Sequence, residues 1–301
     1  MRLWDELYSR TKLRGRSTNK NFMVKAIHTV NESANEFVKE FNRLMTSRAA
    51  WETWADFVTL SAISISNAVD KKHFQVREKE YMTVQSKYTQ KEMEIISRLF
   101  AITVMALERE PWQDFLGSLY MNLELGNHWK GQFFTPYDVT RTMAKITAGN
   151  IERQISEKGY ITVSDCACGG GATLIAMAEE AYMQLKDFKL NWQNHIMFVG
   201  QDIDAVTAKM CYIQLSLLGC AGYVKIGDSL SDPIQKNDSD ENYWYTPMWF
   251  SEVWHYRRLW RTMDLMCRPL KKAESESPVK EKYCYYYFYP EEDTAGGSLR
   301  V

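Results

Sequence analysis

The stretch Tyr160-Ile-Thr-Val-Ser-Asp-Cys-Ala-Cys-Gly-Gly-Gly-Ala-Thr-Leu-Ile175 decides the fold. A short β-rich run, Tyr160 to Ser164, precedes a glycine-rich turn, Asp165 to Gly171, and an apolar helical pattern, Ala172 to Leu185. A glycine turn between strand and helix lets a ligand approach the backbone, and the helix start offers free N–H groups. The turn lacks the GxGxxG spacing of a dinucleotide-binding loop. Asp165, placed just before the glycines, would repel a phosphate and suits a cationic or amine-bearing ligand.

The same alternation continues downstream. A second apolar strand, Ile196 to Gly200, leads to Gln201-Asp-Ile-Asp204 and a helix from Ala205 to Leu218. A third strand, Tyr223 to Ile226, ends at Gly227-Asp228. Strands alternating with helices of this length predict βαβ units and a parallel sheet. Such sheets bind ligands at the carboxyl ends of their strands, where Asp165, Asp202 and Asp228 all fall. One acid suits the amine of a ligand, the second ribose hydroxyls and the third the amino group of an adenine. Together they describe a nucleoside with a positive centre, and S-adenosylmethionine fits. Taken singly, each acid reads equally as a helix cap or surface turn.

Upstream, residues 1–125 read as a helical domain. Ser33–Met45 places Ala34, Phe37, Val38, Phe41 and Leu44 at spacings of three and four, and Trp51–Val69, Lys87–Leu107 and Trp112–Leu125 repeat the pattern. The charged stretch 70–86 reads as a surface connection. The α/β domain is expected over 126–270. A tail, 271–301, follows, polar at first and then aromatic in Tyr283-Cys-Tyr-Tyr-Tyr-Phe-Tyr289, which reads as one terminal strand; its last residues are expected to be disordered.

Composition narrows the class. The 301 residues are 45% hydrophobic and 25% charged, a balance that supports a buried core and argues against a disordered or fibrous chain. No apolar run approaches the length of a membrane span, and MRLWDELYSR lacks the apolar core of a secretory signal, so a cytoplasmic protein without membrane contact is expected. The 37 Lys and Arg nearly balance 38 Asp and Glu, which removes an overall basic surface as an argument for nucleic-acid binding. Local basic runs remain at 8–25 and 251–272; over 249–261 Trp249, Phe250, Trp254, Tyr256 and Trp260 interleave with Arg257, Arg258 and Arg261, readable as a nucleic-acid face or as core with arginines at its rim. The six cysteines form no pair of CxxC units, so reduced thiols packed as small apolar groups are expected, with no metal site.

Four segments in register carry a family resemblance. Gly131-Gln-Phe-Phe-Thr-Pro136 resembles the GQ-aromatic-aromatic-TP segment of N6-adenine DNA methyltransferases, with the modification subunits of type I restriction systems the nearest in pattern. Asp165-Cys-Ala-Cys-Gly-Gly-Gly171 is similar to their DPACGSG turn, Gly200-Gln-Asp-Ile-Asp204 to their G-x-E-I-D, and Gly227-Asp-Ser-Leu230 to their GDSL. Cys166 stands in place of proline and Gly170 in place of serine.

The resemblance implies a Rossmann-like class I methyltransferase domain behind the helical one, with S-adenosylmethionine as cofactor, DNA as partner and transfer to the N6 amine of adenine. Phe133, Thr135 and Pro136 would line the methionine end of the pocket. Asp165 would meet the cofactor's amino group, while Ala167, Gly169 and Gly171 allow close backbone approach. Asp202 would hold the ribose, Ile203 would pack on adenine and Asp228 would accept its amino hydrogens.

The family's catalytic Asn/Asp/Ser-Pro-Pro-aromatic motif is missing from this sequence. Thr246-Pro-Met-Trp249, following the short strand Tyr243-Trp-Tyr245, is the candidate substitute: Thr246 and the Pro247 carbonyl as acceptors for the target amine, Trp249 stacking on the base. A plain turn into the helix Trp249–Met266 is the competing reading. The residues after Phe250 are few for a seven-stranded sheet, so a truncated sheet is expected. That leaves room for a specificity or sheet-completing subunit, or for a cofactor-binding, non-catalytic assembly or regulatory subunit.

Overall fold

The structure, a computed structural model, describes residues 19–45, 48–123, 125, 134–188, 190–235, 238–260 and 263, with side chains from Glu32 onward. Helices α1 (Asn19–Leu44), α2 (Ala50–Val69), α3 (Phe74–Gln85), α4 (Gln90–Arg109) and α5 (Phe115–Asn122) form the amino-terminal layer. Then come α6 (Tyr137–Thr147), α7 (Ile151–Lys158), β1 (Ile161–Asp165), α8 (Ala172–Leu185), β2 (Ile196–Asp202), α9 (Ala205–Leu217), β3 (Ala221–Ile226) and β4 (Tyr243–Tyr245). Residues 252–260 form a last helix, α10.

The fold class read from the sequence is the one observed: a helical layer followed by an α/β unit. Strands β1, β2 and β3 lie side by side and parallel, each joined to the next through a helix. Side chains alternate strictly between the two faces. Ile196, Phe198 and Val224 face the large core; Met197, Val199, Ala221 and Tyr223 face a smaller cluster closed by Tyr243 and Trp254.

The large core is continuous from Phe37 and Phe41 on α1 through Trp54 and Phe57 on α2 to Phe198 on β2. Thus the helical layer and the sheet are bonded by one apolar interior, with α9 packed on α2. The expected borders near 125 and 270 adjoin 126–133 and 264–301, which lie outside the described residues, as does the aromatic run 283–289. So does the basic run 8–25, except for the backbone of α1.

Two expectations need correction. The stretch 70–86 contains α3, a charged helix that few apolar residues would reveal. Its place is fixed by Arg77, which is buried on Asp70 at 2.8 Å, on Ser66 and on the Tyr243 carbonyl at 2.6 Å. The second correction concerns β4, the strand leading into Thr246. It joins the sheet antiparallel, on the outer edge of β3, with Tyr223 opposite Tyr245 and Lys225 opposite Tyr243.

Trp244 explains why β4 settles there. The Arg77 guanidinium lies 4.2 Å from its ring centre, the Lys209 ammonium 5.2 Å away, and the Tyr212 ring packs at 5.4 Å. A desolvated cation over an indole is worth about 2 kcal/mol. Arg77 therefore fastens α3, α2 and β4 at one point. Replacing it by Met should lower the unfolding free energy by about 3 kcal/mol, because Asp70 is left buried with only His73 as partner. Urea denaturation measures this, and a loss below about 0.5 kcal/mol would show the clamp to be dispensable.

Candidate functional site

The turn Asp165–Gly171 crosses the carboxyl ends of β1 and β2 and ends at the start of α8. Two of its glycines are obligatory for geometric reasons. Gly171 has φ 97°, and a Cβ there would lie 2.9 Å from the Cys211 sulfur. Gly169 has φ 51°, and its Cβ would press to 3.3 Å from the Phe134 ring. Both conformations are ones that side-chain-bearing residues resist. Since Gly171 caps α8 without a side chain, the first N–H groups of that helix have no intrahelical acceptor and open toward the turn.

Carboxylates hold this turn. Asp165 accepts the Ala167 N–H at 3.0 Å and the Thr173 hydroxyl. Asp202, at the end of β2, accepts the Gly169 N–H at 2.8 Å on one oxygen; the other takes the Asp204 N–H at 2.9 Å and the Thr207 hydroxyl at 3.1 Å. Asp204 in turn caps α9 through the Val206 and Thr207 N–H groups. One acid thus ties the two loops together, as expected where strands end side by side.

A cleft of about 370 Å³, counting its open mouth, lies over the turn and is lined by Asp114, Phe134, Thr135, Thr140, Asp165, Ala167, Cys168, Gly169 and Thr173 among others. Thr135, Asp165, Ala167 and Gly169 are therefore brought together as the sequence suggested. Gly171 sits behind them, and Asp202 touches them through Gly169. Ile203 is 71% exposed beside Asp202, an unusual state for isoleucine. Pro136 is exposed at the start of α6. Asp228 caps its own turn by accepting the Leu230 N–H and the Ser231 hydroxyl, which hold its carboxyl below the usual range. Phe133 lies outside the described residues.

Sequence reasoning missed the floor of the cleft. Asp114 is buried beneath Gly170 and accepts the Gln214 amide at 2.7 Å and the Gly117 N–H at 2.9 Å. Burial pushes its carboxyl up, against the pull of those two donors. Gln214 also donates to the Gly170 carbonyl at 2.8 Å. The available signal was a glutamine inside the otherwise apolar run Met210 to Leu215. Phe134 was missed too: it stacks on Tyr120 at 5.2 Å and covers Gly169. Cys168 and Cys211 are buried behind the turn, where each other's presence and burial push the Cys168 thiol up.

Thr246, Pro247 and Trp249 are not brought to this cleft. Thr246 is fully buried beside Gly222, at the amino end of β3, whereas the cleft lies at the carboxyl ends. Its hydroxyl donates to the Cys220 carbonyl at 2.7 Å and accepts the Gly222 N–H at 3.0 Å. Three strand spacings, about 14 Å, also separate β4 from β1. Trp249 packs on Tyr223 and Tyr245 under the Arg258 guanidinium, 3.9 Å from its ring centre. The reason is the antiparallel entry of β4, which sends its carboxyl end downward. Thr246 thus locks β4 to the amino end of β3.

The comparisons agree with the geometry. The profile of a family described as N-6 DNA Methylase matches residues 115–282, more than half of the chain. The chain belongs to that family. The match begins at Phe115, the first residue of α5, and includes Gln214 but not Asp114. No curated protein gives a significant match. Among solved structures, a Listeria monocytogenes protein (lmo1582) described as a class I S-adenosylmethionine-dependent methyltransferase is similar over 67% of this chain, at 13% identity and a TM-score of 0.34. The chain spans 55% of that protein's length. Among the described residues no helix is long and apolar enough to cross a membrane, and no cluster of His, Cys, Asp and Glu is arranged to hold a metal.

The strand-lock role makes a distinct prediction. Thr246→Val should cost about 1–3 kcal/mol of stability by orphaning the Gly222 N–H. Cofactor affinity, read by calorimetric titration, should not change. A weakened affinity with intact stability would return Thr246 to the site.

Proposed function

We propose that the chain binds S-adenosylmethionine over the Asp165–Gly171 turn and serves methyl transfer to the N6 amine of adenine in DNA. Family membership supports this reading, and one observation carries it at the level of residues: Asp202 fastens the glycine turn of β1 to the end of β2, leaving bare backbone between two carboxylates. The residues present fit the cofactor. A Cβ at Gly169 would press on Phe134 at the cleft wall, Asp165 faces the cleft for an ammonium group, and exposed Ile203 offers an apolar surface for a purine. Asp202 accepts a ribose hydroxyl at the one acceptor position left on Oδ2, and Asp228 accepts the purine's amino hydrogens. When bound, S-adenosylmethionine supplies an electrophilic methyl group.

Thr135 and the Thr173 hydroxyl stand at the mouth of the same cleft, where they position the methionine end. Pro136, exposed at the start of α6, would line that end, a role the resemblance also implies for Phe133. The groups that grip the target adenine come from segments outside the described residues or from another subunit, because Thr246-Pro-Met-Trp249 is engaged at the opposite end of the sheet. DNA is the proposed substrate, and a specificity or sheet-completing subunit the proposed partner.

Two measurements test this. Titration calorimetry should show S-adenosylmethionine binding, weakened about tenfold or more by Asp202→Ala, since the turn loses its tie and the ribose its acceptor. Equal affinity would remove Asp202 from the site. Transfer of labelled methyl groups to unmethylated DNA, scored as N6-methyladenine, then tests the chemistry. Label incorporated by the chain, alone or with a partner subunit, supports the proposal. Tight cofactor binding without label under both conditions would favour the assembly or regulatory role.

A further inference from the structure

Among the described residues, β1 has a neighbour on one edge only. The Ile161 N–H donates to His195, on the β2 side. In a parallel ladder alternate residues turn both backbone groups to the same side, so Ile161, Val163 and Asp165 serve β2, while Thr162 and Ser164 direct theirs to the outer edge. None of the five residues is fully buried, and Ser164 is exposed. Parallel strands are ordinarily covered, and natural edges are blunted by lysine, proline or a bulge. Ile161-Thr-Val-Ser-Asp165 carries no lysine or proline and pairs with β2 in unbroken register.

The path of the chain after β4 indicates what covers this edge. The Thr246 N–H bonds Gly222 at the foot of β3, the Trp254 indole donates to Gln193 just before β2 at 2.8 Å, and Arg257 donates to Gly159 just before β1 at 2.9 Å. Helix α10 therefore carries the chain along the amino ends of β3, β2 and β1 in turn. It leaves the chain at the foot of the open edge, with residues 264–301 to follow.

Within those residues the run Tyr283-Cys-Tyr-Tyr-Tyr-Phe-Tyr289 is the one rich in aromatic residues that favour strands. It is bounded by Lys282 and Pro290 and long enough to flank β1. The residues between Met263 and Tyr283 span up to about 65 Å when extended, so the tether imposes no strain, and lengthening such a loop adds little entropy cost. We propose that Tyr283–Tyr289 adds to the open edge of β1 as a parallel strand. Alternate rings then extend the half-covered second face beside Tyr160 and Trp254, and Tyr289-Pro290 emerges at the same end of the sheet as Asp165. This inference stands apart from the reading of the cofactor site.

Hydrogen exchange on the full chain tests it without reference to activity. The amides of Thr162 and Ser164 should exchange about a hundredfold more slowly than free amides. Tyr286→Pro should abolish that protection and spare the amides of β2 and β3. Fast exchange in the natural chain overturns the proposal, as does protection that survives Tyr286→Pro or that rises with protein concentration, the mark of a second copy. A second measurement holds even if Tyr286→Pro fails to fold. In Thr162→Cys/Cys166→Ser, a bismaleimide of about 8 Å should link the introduced cysteine to Cys284 within one chain, since in this register the two positions lie about two residues apart along strands about 4.8 Å apart. Failure to form this link overturns the proposal.

Discussion

The side-chain amide of Gln214 is the contact on which the cleft depends. Fully buried on α9, it donates to Asp114 and to the Gly170 carbonyl and accepts the Leu116 N–H at 3.1 Å. One residue thereby joins the glycine turn, the start of α5 and the crossover helix between β2 and β3. Removing it would leave Asp114 with the Gly117 N–H alone and would strand the Gly170 carbonyl and the Leu116 N–H, each orphaned group costing about 1–3 kcal/mol. The turn itself, with left-handed glycines at 169 and 171, has little rigidity of its own. Its shape is imposed from below by Gln214 and Asp114, from the side by Asp202 and from above by Phe134. The helical layer is thus part of the cleft's foundation, and the family match begins within it, at α5.

Much of the α/β unit was legible in the sequence because its signals are local. A β-rich run, glycines and an apolar helix at Tyr160–Leu185 define one βα unit by themselves, and acids at the ends of successive strands mark the ligand end. What escaped were features made by tertiary contact. Helix α3 shows almost no apolar face, since its buried anchor is an arginine; the charged stretch therefore looked like a surface connection. Asp114 and Gln214 are polar residues whose partners lie about a hundred positions away in sequence, so no spacing rule could connect them. The strand Tyr243–Tyr245 was read as a strand with no direction assigned to it. Nothing local distinguishes a parallel from an antiparallel entry; Trp244 between Arg77 and Lys209 decides it.

That one reversal has functional weight. With β4 placed antiparallel beyond β3, Thr246 and Trp249 become structural parts of the sheet's far end. The arrangement gathers Asp165, bonded to Ala167, and Asp202, bonded to Gly169, on one glycine turn at the carboxyl ends of β1 and β2. In this account the parts that hold a target base are supplied separately from the strand that sequence position alone would nominate.

The measurement that tests the account most directly is calorimetric titration of S-adenosylmethionine into the natural chain and into Gln214→Leu, with circular dichroism to establish that the variant is folded. A turn held from beneath by Gln214 predicts binding by the natural chain and an affinity lower by about tenfold or more in the variant, because a cradle displaced by a fraction of an ångström loses its fit. Equal affinity in the two proteins, or no binding by either, would contradict it.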